Sequence, residues 1–256
     1  MKDRIVKGDD EGRDSATSLA DKRVLIVGIG GLGTPAAWAL AGAGVGSLVL
    51  MDPDVVETSN LHRQILHRTT RLGMAKAASA RIALASAFPR VRIEAIREPL
   101  TPANVATRFA RVHFVIDGTD EVEAKYLIND AAIRRGVPYS HAGVSGLQGQ
   151  TFTVLPGRSP CLRCVFPEAP SRSEGARCRD EGILGPVAGV IGFLQAAEAL
   201  RCLRGRQPAF AGRLLTFDAR ALRWRAVPLP RSAACSLCHV HQPIAPHDEA
   251  AISPGS

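Results

Sequence analysis

The chain has 256 residues, of which 46% are hydrophobic, so it can bury one full core and a single α/β domain is the simplest expectation. It has no run of 18 or more apolar residues and its N-terminus is polar, which argues against a membrane span and a signal peptide and predicts a cytoplasmic protein. The formal net charge of +8 comes from 27 arginines and only five lysines, and it predicts either a solvated basic surface or a landing patch for an acidic protein. Aromatic residues make up 5% and no nucleic-acid-binding motif occurs, which disfavours nucleic acid as a partner.

Strand patterns and helical patterns alternate through the first half of the chain. Strands are predicted at 23–28, 47–52, 91–96 and 112–117, and helices at 34–44, 73–88, 101–110 and 121–136. The third helix is expected to begin with Thr101 as its N-cap and Pro102 in its first position, and the fourth to end at Gly136. This alternation predicts a doubly wound, Rossmann-like and mainly parallel α/β sheet.

The pattern changes after residue 136. Strands are predicted at 137–143, 148–156, 213–218 and 222–230, with one long helix at 185–205 and a crossover loop at 167–182. Because long helices do not separate most of these strands, they indicate an antiparallel C-terminal extension of the sheet. The expected organisation is a flexible N-terminal segment over 1–20, a single domain over 21–240 and a disordered tail over 241–256.

A glycine-rich turn, GIGGLG from Gly28 to Gly33, follows the first predicted strand and opens the first helix. Gly28 permits the tight turn, Gly30 lets the backbone approach a phosphate, and Gly33 allows the helix to pack closely on the strand. The free N–H groups at the helix N-terminus favour an anion, and Asp52, at the end of the next strand, suits a ribose hydroxyl. The turn, of which Gly31 is also a member, predicts a nucleotide site but does not by itself separate NAD from ATP.

A polar and basic stretch, SNLHRQILHRTTRLGMAK over residues 59–76, comes behind this turn. It contains Arg63 and Lys76, which suit a triphosphate whose charge shifts during a reaction better than the unreactive diphosphate of NAD. Asp120, at the entry to the helix 121–136, can hold magnesium, a hard cation that prefers oxygen ligands. The alternative is that Asp120 only caps that helix.

Seven segments occur in an order that resembles the MoeB/ThiF/HesA enzymes, the bacterial relatives of ubiquitin-activating enzymes, over about residues 20–238. The segments are VLIVGIGGLG, AGAGVGSLVLMDPDVVETSNLHRQ, RLGMAK, IDGTD, CLRC, GILGPVAGVIGFLQAAEAL and CSLC. The resemblance implies an ATP-dependent adenylyltransferase that activates the C-terminal glycine of a small ubiquitin-like sulfur carrier protein of the MoaD/ThiS type, which ends in Gly-Gly. Pyrophosphate would be released, and a separate sulfur donor would convert the acyl-adenylate to a thiocarboxylate.

Carried over by position, the resemblance implies a role for each residue of the candidate ATP site. Gly30 and Gly33 would line the site, Asp52 would meet the ribose, and Asp120 would bind Mg²⁺. The phosphates would be surrounded by Asn60, Arg63, Gln64 and Lys76. Members are typically homodimers with a short N-terminal arginine motif, which is not found in this chain, and Glu121 stands where the family commonly has asparagine.

Six cysteines are present, and four of them form two C-x-x-C pairs: Cys161, Cys164, Cys235 and Cys238. In a reducing compartment this spacing favours a metal over a disulfide, and the resemblance implies that the four thiolates together hold one structural Zn²⁺. The alternative is a redox dithiol. Cys178, flanked by two arginines in the crossover loop, matches a position where some relatives carry a cysteine that bonds to the carrier, so it is either a nucleophile or a bystander.

Three rival hypotheses stay open. A member of the same family could adenylate another carboxylate, on a tRNA-borne modification or a peptide. An NAD(P)-dependent oxidoreductase would bind nicotinamide and would leave Arg63 and Lys76 without a role. A non-catalytic scaffold stabilised by zinc would bind ATP at most. The seven histidines form no constellation and receive no role.

Overall fold

The structure, a computed structural model, describes residues 18–169 and 182–238. Its strands are β1 (Arg23–Val27), β2 (Ser47–Met51), β3 (Arg92–Ile96), β4 (Phe114–Asp117), β5 (Tyr139–Ser145), β6 (Gln148–Val154), β7 (Arg213–Asp218) and β8 (Arg223–Pro228). Its α-helices are α1 (Gly33–Gly42), α2 (Lys76–Ala87), α3 (Val105–Arg108), α4 (Val122–Arg135), α5 (Leu162–Val165) and α6 (Gly185–Leu203). Two short 3₁₀ turns at Thr58–Asn60 and Thr69–Arg71 precede α2.

Within the described residues, the strands form one sheet in the order β3-β2-β1-β4-β5-β6-β7-β8. The first five strands in this order run parallel, and β6, β7 and β8 continue the sheet in antiparallel fashion. This confirms the predicted mainly parallel sheet with its antiparallel C-terminal extension. One detail of the prediction is wrong: the strand expected at 137–143 pairs in parallel with β4, because α4 carries the chain back across the sheet before β5 begins.

Two helices are shorter than the sequence predicts. α2 begins at Lys76 rather than at residue 73, because Gly73 has φ +78°, a left-handed conformation that a helix cannot include. The predicted helix at 101–110 is reduced to α3, and its N-cap is Asn104 rather than Thr101. Thr101 and Asn104 instead exchange hydrogen bonds, since the Thr101 N–H donates to Asn104 Oδ1 at 2.8 Å and the Asn104 N–H donates to Thr101 Oγ1 at 3.3 Å. These two bonds have the reciprocal pattern of a capping box, and the Val105 N–H donates to the Thr101 carbonyl oxygen, so Thr101 caps the turn that leads into α3, although α3 itself begins only at Val105.

Both faces of the parallel strands are buried. On one face, side chains such as Leu25 and Val49 pack with α4. On the other face, Ile26 and Leu50 pack with α1, α2 and α6. A strand that is covered on both faces needs apolar residues at successive positions rather than at alternate ones, which accounts for the unbroken apolar runs in the sequence.

Helix α6 is long and apolar enough to cross a membrane by length and composition alone, with a mean hydropathy of 1.3. Half of that stretch is buried inside the protein, where the helix packs on α1, β5 and β6. Val187, Ile191 and Ala196 are among its buried residues. Its place in the core accounts for the apolar residues on the buried face, whereas Val190 and Phe193 on the same helix are exposed.

The sheet has a switch point beside β1. The chain moves outward from β1 to β2 and β3, and then crosses back to β4 on the other side of β1. In open α/β sheets such a reversal opens a crevice at the carboxyl ends of the central strands, where ligands bind. Val27 ends β1 and Asp117 ends β4, so the loops that follow these two residues border the crevice.

Candidate nucleotide cleft and cysteine cluster

A cleft of about 850 Å³ opens at the carboxyl ends of the central strands. It is lined by nine of the residues that the sequence marks as candidate site residues: Gly28, Gly30, Gly31, Asp52, Asn60, Arg63, Gln64, Lys76 and Asp120. Gly33 is not in the lining, because it begins α1 behind the turn. The fold thus brings candidate residues from four segments of the chain to one cavity.

Close packing requires glycine at two positions of the turn. Gly28 has φ +86°, and a Cβ there would lie 2.6 Å from the oxygen of Gly118. A Cβ at Gly33 would collide with the oxygen of Gly28. At Gly30 the nearest neighbour of an added Cβ is Gln64 Nε2 at 3.6 Å, so this residue has open space beside it. The turn therefore packs tightly against the loop after β4 and exposes Gly30 to the cleft.

Asp52 fixes the turn from the end of β2. Its carboxylate accepts hydrogen bonds from the backbone N–H of Ile29 at 2.7 Å and of Asp54 at 2.9 Å. Burial raises the pKa of Asp52, opposed in part by the bond from Ile29 and by the charge of Lys76. Each carboxylate oxygen has a further lone pair, so Asp52 can shape the turn and still accept a hydrogen bond from a hydroxyl group.

Arg63 and Lys76 form the basic side of the cleft. Arg63 is oriented by its neighbours, since it donates to Asn60 Oδ1 at 2.6 Å and to the Ser59 carbonyl oxygen at 3.3 Å. Lys76 Nζ lies 2.8 Å from Asp54 Oδ2; the lysine side chain is 8% exposed and that of Asp54 64% exposed. Guanidinium and ammonium groups have five and three donors, so both side chains keep donors for an anion.

Gln64 lines the cleft beside the glycine turn, with its Nε2 3.6 Å from the position that a Cβ on Gly30 would take. It is buried, and its Oε1 has no hydrogen-bond partner among the described residues. A buried carbonyl that is left unpaired costs about 1–3 kcal/mol. Because Gln64 lines the cleft, a donor on a bound molecule is the partner that would remove this cost.

Asp120 is exposed in the loop between β4 and α4 and lines the cleft. The N-cap of α4 is Glu121, whose side chain makes no capping hydrogen bond. The alternative that Asp120 serves only as the helix cap is therefore wrong. Asp120 lines the same cavity as the glycine turn, and carboxylate oxygens are of the type that Mg²⁺ prefers.

A buried polar cluster beneath the cleft was not predicted from the sequence. Asp117 accepts hydrogen bonds from Lys125 Nζ at 3.1 Å, from Thr119 Oγ1 at 2.8 Å and from His141 Nδ1 at 2.9 Å. Lys125 also donates to the Ala142 carbonyl oxygen at 2.6 Å. The only signal in the sequence was an acidic residue at the end of an apolar strand, because the partners lie on two other elements.

The charges of this cluster follow from its contacts. Burial on its own would raise the pKa of Asp117, but the Lys125 ammonium, followed by His141 and Thr119, outweighs burial and holds that pKa at about 2. Burial lowers the pKa of His141, so its ring is neutral near pH 7 and donates from Nδ1 to the carboxylate. The cluster is thus one buried ion pair with a neutral histidine, and it fixes the loop that leads to Asp120.

The four C-x-x-C cysteines form one cluster, and three of them belong to the same buried core as residues of α4. All four Sγ atoms lie within 4.8 Å of one another, with Cys161 Sγ at 3.7 Å from Cys235 Sγ and Cys164 Sγ at 3.5 Å from Cys238 Sγ. Four sulfurs at about 2.3 Å from a tetrahedral zinc ion would be about 3.8 Å apart. Burial raises the pKa of the Cys161 and Cys238 thiols, the latter to about 11, whereas backbone hydrogen bonds from Cys238 and Leu237 outweigh burial and lower the pKa of Cys235. A cation between the sulfurs would stabilise the ionised form of Cys161 and Cys238. The donor set and its geometry fit Zn²⁺.

Backbone and side-chain contacts hold both cysteine pairs in place. Asn129 Oδ1 accepts hydrogen bonds from the Leu162 N–H and from the Tyr139 hydroxyl group, both at 2.9 Å, and so ties the first pair to α4 and β5. Arg231 donates to the Cys238 carbonyl oxygen at 3.1 Å and to that of Gly157 at the same distance, and so ties the second pair to the loop after β6. These contacts tie the cluster to α4, β5 and the loop after β6.

Several predictions fall outside the described residues. They are those that concern Cys178, the crossover loop from 170 to 181, the N-terminal segment up to residue 17 and the tail from 239. Cys202, by contrast, is described: it is half-buried on α6, where it packs against the core.

Comparison with known proteins gives a consistent result. Residues 4–238 match the ThiF family. The sulfur carrier protein ThiS adenylyltransferase of Escherichia coli is 39% identical over 231 residues, which cover 90% of this chain and 91% of the relative. The SAMP-activating enzyme E1 of Haloferax volcanii is 38% identical over 230 residues, covering 90% and 85%.

Other similar proteins are longer than this chain. The adenylyltransferase and sulfurtransferase MOCS3 of Drosophila grimshawi is 42% identical over 231 residues, and the chain spans 51% of its length. The solved structure of E. coli MccB with ATP has a TM-score of 0.76 and 20% identity, and the match covers 87% of this chain and 68% of that one. At this identity the likeness to MccB concerns the fold.

Proposed function

The chain belongs to the ThiF family, and on that premise we propose that it is an ATP-dependent adenylyltransferase that acts on the C-terminal glycine of a small ubiquitin-like sulfur carrier protein. The observation that carries the proposal is the cleft of about 850 Å³, which is lined by the glycine turn, by the cations Arg63, Lys76 and Lys125 and by the exposed residue Asp120. The relatives named as ThiS adenylyltransferase and SAMP-activating enzyme, at 39% and 38% identity, support the choice of substrate.

The reaction joins a carboxylate oxygen of the terminal glycine to the α-phosphorus of ATP, and it breaks the bond between that phosphorus and the oxygen of the leaving pyrophosphate. Negative charge therefore builds on the leaving group, and Arg63 and Lys76 are the cations that neutralise it. A unit charge pair at 4 Å is worth about 4 kcal/mol at an effective dielectric constant of about 20, and only the part that strengthens in the transition state accelerates the reaction. Lys76 can bind a phosphate without leaving Asp54, because its ammonium group has three donors.

The remaining cleft residues bind and orient the nucleotide. The Gly30 N–H meets a phosphate oxygen, and Asp52 accepts a hydrogen bond from a ribose hydroxyl group. Asp120 holds Mg²⁺, which usually takes one or two protein carboxylates together with substrate phosphates and supplies further neutralisation of their charge. The support for these roles is the shared cavity and the unused donors and acceptors that line it.

The cysteine cluster holds a structural Zn²⁺ in this proposal. A site with four thiolates has no open coordination position, so it contributes to stability rather than to chemistry. Its function is to tie the C-terminal segment that carries Cys235 and Cys238 to the body of the domain.

Four parts of the sequence interpretation stay predictions. They are the homodimer, the separate sulfur donor, the cytoplasmic location and the choice between nucleophile and bystander for Cys178. The N-terminal segment, in which the family's arginine motif is not found, lies outside the described residues up to residue 17.

The proposal is tested by ATP–pyrophosphate exchange with a purified carrier that ends in Gly-Gly. We expect exchange that requires the carrier and that falls by about 10²- to 10³-fold in Lys76→Ala and in Asp120→Ala, because each variant removes one stabiliser of the charge that moves in the reaction. Lys22→Ala and Asp21→Ala are the matched controls, since both residues lie before β1 and away from the cleft.

Three other outcomes would change the proposed substrate or the proposed function. Exchange with a peptide or a tRNA-borne carboxylate, and none with a carrier, would keep the adenylation and replace the substrate. Binding of ATP by a folded, zinc-loaded protein without any exchange would favour the non-catalytic scaffold. Nicotinamide binding would favour the oxidoreductase.

A further inference from the structure

The backbone of Ile29, inside the glycine turn, is held at both ends by buried side chains. Its N–H donates to Asp52 Oδ2 at 2.7 Å, and its carbonyl oxygen lies 3.1 Å from His67 Nε2. These partners are 23 and 38 residues away along the chain. His67 belongs to the same stretch as Arg63 and Lys76, but it contacts the buried side of the turn and does not line the cleft.

The partners of His67 determine which ring nitrogen carries the proton. A carbonyl oxygen only accepts, so Nε2 donates to Ile29. Nδ1 lies 3.0 Å from Ser79 Oγ, whose hydroxyl group can donate to it. Burial lowers the pKa of His67, as do the charges of Lys76 and Arg71, so the ring is neutral near pH 7. The Ile29 carbonyl oxygen thus selects the form of the ring with its proton on Nε2, and the Ser79 hydroxyl group can donate to Nδ1 in that form.

The geometry of the peptide bond between Ile29 and Gly30 links the contact with His67 to the direction of the Gly30 N–H. The described residues contain no cis peptide bond, so the Ile29 carbonyl and the Gly30 N–H point in opposite directions. The carbonyl points to His67 on the buried side, and the N–H therefore points away from it. Gly30 lines the cleft, and its N–H has no hydrogen-bond partner among the described residues.

Gly30 exposes this N–H to the cleft, but a glycine at this position also allows the peptide bond that carries the N–H to rotate. Glycine adopts positive and negative φ with similar ease, so position 30 does not resist rotation of the peptide that precedes it. A rotated peptide would present the carbonyl oxygen to the cleft, and that oxygen would repel a phosphate instead of binding it. The turn therefore needs an outside contact to hold the peptide in one orientation, and His67 is placed to supply it.

We propose that His67 is a positioning residue for phosphate binding, which acts through the Ile29 carbonyl to keep the Gly30 N–H directed at the phosphates of the nucleotide. This inference rests on the proposed function, because it requires a nucleotide in the cleft. It assigns a role to a histidine that makes no contact with the cavity itself.

A purely structural role for His67 makes a different prediction. Loss of packing alone would weaken the binding of every part of the nucleotide, or would lower stability without changing binding. Loss of positioning weakens only the binding of phosphate-bearing ligands. Adenosine, which has no phosphate, is therefore the internal reference.

The experiment measures dissociation constants of adenosine, ADP and ATP for the full chain and for His67→Phe and His67→Gln. We expect His67→Phe to bind ADP and ATP roughly 10- to 100-fold more weakly, as for the loss of a hydrogen bond to a charged group, with adenosine binding unchanged. His67→Gln should recover most of the affinity, because its amide nitrogen reaches a similar position and can donate to Ile29.

Equal weakening of all three ligands, or no weakening, would overturn the inference. If the unaltered protein binds ATP no more tightly than adenosine, the proposed function itself fails, and that result is visible before any variant is made. If His67→Phe does not fold, two further measurements decide the matter. ¹⁵N shifts of the imidazole should place the proton on Nε2, and Ser79→Ala should weaken ADP and ATP but not adenosine; a proton on Nδ1 would refute the proposal.

Discussion

The cleft and the cysteine cluster are both built from side chains that are distant in sequence. They differ in whether the polar groups of the site contact one another or are left without partners. The four cysteines point at one another and are enclosed by contacts from α4, β5 and the loop after β6. The residues of the cleft leave donors and acceptors unused, as Gln64 Oε1 and the Gly30 N–H do. A closed donor set suits a structural ion, and an open one suits a substrate that must enter and leave.

The two regions also differ in where their support lies. The cysteines are supported by groups that contact them or their own backbone. The cleft is supported from beneath, by Asp117 under the loop of Asp120 and by His67 under the glycine turn. The residues that line the cleft can keep unpaired donors and acceptors because buried polar side chains beneath them hold their backbone in place.

Removing the ion or one of its ligands should have the largest effect on stability. In small zinc peptides the ion supplies roughly 10–16 kcal/mol of apparent binding free energy. We therefore expect Cys161→Ser, or treatment with a chelator, to lower the melting temperature strongly, as measured by thermal denaturation with zinc analysis in parallel. Cys202→Ser is the matched control, since Cys202 lies on α6 and is outside the cluster. An unchanged melting temperature and zinc content in Cys161→Ser would contradict the closed site.

Breaking the buried ion pair beneath the cleft should have the next largest effect. Asp117→Asn leaves Lys125 charged and without its partner, and loss of one member of a buried pair typically costs about 3–5 kcal/mol. The free energy of unfolding from urea denaturation measures this cost. Asp21→Asn, at an exposed position, should leave it unchanged. If both variants unfold at the same urea concentration, the buried layer does not support the cleft as described.

Acid should weaken the support of the cleft in two separate ranges of pH. The pKa values of His67 and His141 are lowered in the folded protein, so their neutral forms stabilise it above about pH 6.5 and this contribution is lost as the pH falls below that value. The pKa of Asp117 is lowered to about 2, so its contribution, on the order of 2 kcal/mol, is present above about pH 4 and is lost as the pH falls toward 2.

Unfolding free energies measured between pH 8 and pH 2 check this sequence of losses. In His67→Gln the loss near pH 6 should be smaller than in the unaltered protein, because glutamine does not titrate. A stability that rises as the pH falls from 7 to 5 would contradict the assignment of neutral histidines.

Changing a residue on the open side of the cleft should have the smallest effect on stability. Asp54 is largely exposed, so its pair with Lys76 is worth no more than about 1 kcal/mol. We expect Asp54→Ala to keep its free energy of unfolding within about that range, and to bind ATP more tightly because a negative charge beside the phosphates is removed. A loss of stability comparable to that of Asp117→Asn would remove the distinction between the open surface and its buried support.

Much of the fold and of the candidate site could be predicted because the signals are local. Unbroken apolar runs marked the strands, the change of pattern after residue 136 marked the antiparallel extension, and the resemblance to the ThiF family is confirmed by the match over residues 4–238. The errors were local as well. Thr101 caps the turn where the third helix was expected to begin, but α3 spans only Val105–Arg108, and no pattern of hydrophobicity shows that the helix is so short.

Local patterns in the sequence were enough to select the candidate glycine, arginine, lysine, aspartate and cysteine residues, because these residue types at these spacings are typical of nucleotide and metal sites. Only the tertiary structure decided how their surroundings hold them. Asp117 meets His141 across 24 residues and Ile29 meets His67 across 38, and both contacts depend on how the sheet and its loops close. Such contacts leave no trace in local patterns, because a buried polar side chain reveals its partner only after the fold has brought the two together.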